Sequence, residues 1–122
     1  MIRLILFAWM TLVWSCQKEP VAQAGPERTE AAFIFENGLA YDGCEEMVRL
    51  EADSLLNKFT GFKPSPATLP LVQQALKDVP SGQHGRAVMI RFFETGNQVF
   101  LQCGWGSRQE LPEIEVLEIK PR

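Results

Sequence analysis

A chain of 122 residues with 12 basic and 15 acidic side chains, a net charge of −3, has room for one small domain and no cationic excess with which to grip phosphate. Nucleic acid is therefore excluded as an expected partner. With 46% hydrophobic residues the chain can build a core, and its three cysteines make the redox compartment the first question.

The N-terminus speaks to that question. Met1 to Ser15 carries one early cation, Arg3, and then an apolar run from Leu4 to Trp14 interrupted only by Thr11. A membrane-spanning helix needs roughly 20 apolar residues, so this shorter run reads as the core of a signal peptide. Val13-Trp14-Ser15-Cys16 resembles the lipobox of bacterial lipoproteins, with Trp14 bulky for its slot. The resemblance implies cleavage before Cys16 and lipidation of that cysteine. Gln17-Lys18-Glu19 is similar to the export signal of surface lipoproteins in Bacteroidota, which implies the outer membrane and possible display at its outer face. Several buried acyl chains, each methylene contributing about 0.8 kcal/mol, would make such an anchor effectively permanent.

Residues 1–15 are thus expected to be a lipoprotein signal peptide, 16–31 a flexible tether and 32–122 a small β domain. The tether reading rests on Pro20, Gly25, Pro26 and alternating charges, with almost nothing to bury. With Cys16 assigned to lipid, Cys44 and Cys103 form an even pair in an oxidising compartment, where a disulfide is expected. The alternative is two separately buried thiols. If formed, the bridge would close a loop of about 60 residues and contribute on the order of 4 kcal/mol in the chain-entropy model.

Within the domain, Ala32 to Phe35 reads as a short strand ended by Glu36-Asn37-Gly38, and Tyr41-Asp42-Gly43-Cys44 as a second turn. Residues 45–59 fit either a helical face or two short strands, and strands are favoured because the surrounding chain is strand-like. Lys63-Pro64-Ser65-Pro66 is barred from a central strand. Leu69 to Asp78 reads as a short amphipathic helix, with Pro70 in its first turn and Val79-Pro80-Ser81-Gly82 closing it.

Arg86 to Cys103 alternates as two strands, Val88, Ile90 and Phe92 on one face of the first and Val99, Leu101 and Cys103 on one face of the second. Glu94-Thr95-Gly96-Asn97 is read as the reversal between them. Gly104 to Ser107 and Leu111-Pro112 are expected to form a loop. Ile114 to Lys120 is a last strand, apolar on both sides as in a central or barrel strand. The fold class expected is mainly β: a small, partly closed barrel of five to six strands with the OB-like shape, or a sandwich, carrying one short helix. Gly43-Cys44, Leu69-Pro70, Cys103-Gly104-Trp105-Gly106 and Ile114 to Ile119 resemble small lipoproteins of Bacteroidota, including the NigD-like group. That resemblance spans about Phe33 to Ile119 and brings no catalytic residue with it.

Trp105 and Arg108 are the candidate binding residues. A Trp between two glycines can be presented for stacking on a sugar or an apolar partner, or it can fold back over the cystine, and burial is the stronger expectation for a large indole. His84 lies in a polar loop and is read as solvent-exposed rather than as a base or zinc ligand, although Cys44, His84 and Cys103 would be the available zinc donors. Glu45 with Glu46, and Glu113, Glu115 and Glu118, do not suggest two carboxyls facing one glycosidase pocket. Arg91 is placed on the solvent side. Neither a cofactor nor a metal is expected. The resulting expectation is a lipid-anchored, non-enzymatic binding or accessory module of the bacterial envelope with a protein or glycan partner; the alternative is an inhibitor of a lysozyme or protease.

Overall fold

A computed structural model describes residues 22–56 and 61–122. Residues 1–21, which include the expected signal peptide and Cys16, lie outside the described residues, as does the stretch 57–60. The fold is mainly β, one five-stranded sheet in the order β2-β1-β4-β5-β3. Its strands are β1 (Arg28–Phe35), β2 (Met47–Leu50), β3 (Lys63–Pro64), β4 (Arg86–Gln102) and β5 (Arg108–Pro121). All neighbours are antiparallel except β3, which runs parallel to β5. The sheet is not closed, but its two edges touch at one bridge between Val48 and Phe62, made by reciprocal backbone hydrogen bonds of 2.9 and 2.7 Å.

Helix α2 (Leu69–Asp78) matches the sequence expectation at both ends. Pro70 sits where a missing N–H costs nothing, and at Val79, the residue before Pro80, the chain leaves helical geometry. Val72 and Ala75 are its buried positions, whereas Leu71 stays exposed. A polar chain docks its N-terminus: the Val116 N–H donates to Thr68 Oγ1, Thr68 lies 2.9 Å from Ser65 Oγ, and Ser65 donates to Glu115 at 2.7 Å. Alternate residues of the sheet then close the core over α2, namely Ala32 and Ile34, Val48 and Leu50, Val88, Ile90 and Phe92, and Ile114 and Val116.

Several expectations are corrected. Of residues 45–59, Met47–Leu50 is a strand as expected, but Glu51–Leu55 forms a one-turn helix, α1, in place of the expected turn, with Glu51 and Asp53 at its N-terminus, where carboxylates suit the helix dipole. The second expected strand falls mostly on 57–60, outside the described residues. The domain begins ahead of residue 32, because Arg28 to Ala31 pair with β4 and the Ala24 and Gly25 N–H groups both donate to the Glu94 carbonyl, so this part of the expected tether is bonded to the sheet. The charge-rich composition hid a strand whose partner lies some sixty positions away, as Arg28↔Phe92 shows.

The largest correction concerns β4. Glu94 to Asn97 does not reverse the chain; β4 continues through it and pairs with β5 on both sides, from Val88↔Pro121 to Gln102↔Arg108. Between Glu94↔Ile114 and Gln98↔Pro112 the register shifts, so Thr95, Gly96 and Asn97 stand opposite Glu113 alone. A bulge uses the same residues as a turn, and here long-range bonds select it. Thr95, 3% exposed, donates to Glu113 Oε1 at 3.0 Å, Asn97 Nδ2 donates to the same oxygen at 3.2 Å, and Gly96 takes φ 87°. Leu111 and Pro112 accordingly belong to β5 rather than a loop, with Pro112 at the irregularity, where a missing donor is tolerated.

Candidate functional site

The reversal of the β4–β5 hairpin falls at Gly104-Trp105-Gly106-Ser107. Beyond the bulge the two strands form an arm with its own small core of Leu101, Cys103 and Leu111, flanked by Cys44 and Met47. Cys44 and Cys103 are joined in a disulfide across directly opposed backbone positions. The flanking bonds, Glu45 N–H to the Gln102 carbonyl at 3.0 Å and Gly104 N–H to the Gly43 carbonyl at 2.8 Å, continue the ladder on either side. Lys63 adds a clip, reaching Glu45 at 2.7 Å and the Phe100 carbonyl at 2.9 Å.

Two short turns meet at the end of this arm. The first, Leu39–Tyr41 with Asp42 in left-handed conformation, is closed by bonds from the Tyr41, Gly43 and Gly38 N–H groups, the last to the Cys44 carbonyl at 2.8 Å. The second, Gly104–Gly106, is closed by Cys103 N–H to the Ser107 carbonyl at 2.9 Å. They pack so closely that a Cβ on Gly104 would stand 2.5 Å from the Asp42 Cα, which is why position 104 requires glycine.

Each turn presents one aromatic side chain. Trp105 is 89% exposed and Tyr41 90% exposed. The expectation that Trp105 folds back over the cystine is overturned, because Trp105 takes φ 62° at the apex and its indole is turned out of the arm. A bulky side chain in left-handed backbone conformation costs about 1 kcal/mol or more and persists where the surroundings enforce it. Arg108 is exposed at the base of the same reversal, paired in register with Gln102. Phe100, 60% exposed, shares its face of the arm by strand alternation. Tyr41 is the residue that sequence reasoning missed; the available signal was an aromatic beside a Gly-containing turn next to each cysteine of the pair.

Away from the arm, a cleft of about 680 Å³ opens on the sheet face opposite α2. Phe33 and Phe35 form its floor, with α1 and the Ser81 to Gly85 turn as walls. Its aromatic surface is already engaged by the protein: the Arg49 guanidinium lies 5.5 Å from the Phe35 centroid, Arg122 lies 5.2 Å from that of Phe33, and the exposed His84 ring meets Phe33 edge-on at 6.3 Å. Glu51 in its wall is bonded by Arg122.

The remaining sequence candidates are dispersed. His84 lies in the cleft wall, and the two thiols that would have joined it on zinc are oxidised together. Among the described residues no group of three or more His, Cys, Asp or Glu is placed to hold a metal. Glu45 serves Lys63, Glu113 the bulge and Glu115 Ser65, so each of these carboxylates has its own structural partner. On the outer face of β4 and β5, a hydrogen bond from Lys120, reinforced by the charges of Lys120 and Arg91, holds the Glu118 carboxyl below its ordinary range. Arg91 is raised, chiefly by its hydrogen bond to Glu27 at 2.6 Å. No protein-family model matches the chain, and no curated protein or solved structure matches it at a significant level.

Proposed function

We propose that this chain is a lipid-anchored, non-enzymatic binding module of the bacterial cell envelope that engages its partner through the end of the arm carrying Tyr41 and Trp105. The observation that carries the reading is the 89% exposed indole held at φ 62° on a turn fixed by a disulfide. Neither the exposure nor the backbone conformation benefits the fold, whereas a preorganised aromatic benefits recognition. The address follows from the lipobox-like Val13 to Cys16 and from the resemblance to NigD-like lipoproteins. With the chain pinned at Ala24 on Glu94, only Gln17 to Gln23 would separate anchor from domain. That length holds the domain within about 25 Å of the bilayer at full extension.

Two experiments test the proposal. Metabolic labelling with a fatty acid marks the wild-type chain and not Cys16→Ser; equal labelling, or none in either, removes the anchor. A photoreactive residue at Ser107, activated in intact cells, crosslinks to an envelope component, and an empty crosslink removes the arm as the binding end. A rigid protruding loop is also what a hydrolase inhibitor inserts into a cleft. Lysozymes and proteases assayed with the purified Cys16→Ser chain decide for that second reading if one of them is slowed and the effect vanishes with Trp105→Ala.

A further inference from the structure

The two aromatic apices share one chemistry, and we infer that Tyr41 and Trp105 together form a stacking platform for an uncharged polysaccharide. This rests on the reading of the arm as the binding end and names what that end takes. The rings stand on separate turns, but those turns are tied together by the cystine, the Gly104 to Gly43 hydrogen bond and the close approach of Gly104 to Asp42. A spacing fixed in this way suits a ligand whose units repeat.

The surroundings decide among ligands. Trp105 is flanked in the chain by Gly104, Gly106 and Ser107, and Tyr41 by Ala40 and Asp42, so the turns themselves place no large apolar residue directly beside either ring, unlike the apolar centre of a protein interface. Leu39, the other large apolar residue in these turns, is far less exposed, at 37%. Asp42 at the apex and the net negative charge of the chain oppose anionic polymers and anionic bilayer surfaces. A neutral sugar chain fits what remains: its C–H faces lie flat on aromatic rings, and its hydroxyls both donate to a carboxylate such as Asp42 and accept from a guanidinium such as Arg108. Both side chains are exposed within these turns or at their base.

The test uses the indole itself. Trp9 and Trp14 precede Cys16, so in the full chain carrying Trp9→Phe and Trp14→Phe all tryptophan emission belongs to Trp105. The protein is titrated with soluble β-glucan, xyloglucan, mannan and dextran, with anionic alginate, and with vesicles of phosphatidylethanolamine and phosphatidylglycerol. At least one neutral polysaccharide is expected to shift the emission to shorter wavelength and protect it from acrylamide. Tyr41→Ala should weaken that binding by about tenfold and Tyr41→Phe restore most of it, as removal and return of one stacking contact. Silence across the neutral polysaccharides, or a response to alginate or vesicles alone, overturns the inference. If Ser107 then still crosslinks to a protein in cells, only the ligand class has failed. If it crosslinks to nothing, the binding role of the arm has failed with it.

Discussion

The α2-backed sheet and the β4–β5 arm solve the same problem with different means. The sheet buries the side chains of four strands and a helix in one contiguous core, and its largest fully buried side chain is Phe92. The arm buries little more than Leu101, Cys103 and Leu111, and substitutes a disulfide, a lysine clip and backbone bonds for apolar area. Burial stabilises in proportion to area and places few demands on sequence, whereas crosslinks fix geometry where there is no area to bury. The arm is therefore the part that can leave large aromatics outside and still hold them still.

That contrast can be broken from either side. Phe92→Ala should have the largest effect, about 3 to 5 kcal/mol, through loss of burial and a cavity beneath α2. Urea denaturation should show the loss across the whole domain. Replacing Cys44 and Cys103 with alanine, which opens a sequence separation of 59, should cost on the order of 4 kcal/mol. Hydrogen exchange should then show excess opening in residues 98–112 while 88–92 remain protected. Thr95→Val leaves Glu113 without its buried donor and should cost about 1 to 2 kcal/mol. If the arm needs the bulge for its direction, this variant should also weaken partner capture.

Trp105→Gly should move the other way, raising stability by about 1 kcal/mol as left-handed strain is relieved, while abolishing binding. The smallest effect belongs to the partly exposed Glu118. Its carboxyl is lowered in the folded state, so its contribution is present above the unfolded value near 4.5 and disappears as pH falls through the folded one. Glu118→Gln should lower stability slightly at neutral pH, leave it unchanged in acid where the carboxyl is already protonated, and so flatten that part of the pH–stability profile.

Legibility in the sequence followed the same division. Helix α2 and the apolar faces of β1 and β4 could be read because local signals, Pro70, Val79-Pro80 and alternation, determine them. The course of β4 past Glu94 could not, since Gly96-Asn97 carries identical local information in a turn and a bulge, and the deciding acceptor, Glu113, is remote. Arg28 to Ala31 lacked an apolar pattern and became strand through pairing with β4. At the arm the cysteine pair was legible, but the exposure of Trp105 was not: the habit of burying indoles yields there to a backbone closed by Gly104 and Asp42.

Acrylamide quenching of Trp105, in the chain whose other two tryptophans are replaced by phenylalanine, tests the central claim most directly. An indole presented to solvent by the arm gives long-wavelength emission quenched in the native protein nearly as fully as in urea. Short-wavelength emission, shielded until the domain unfolds, would show the ring packed on the cystine and contradict the account.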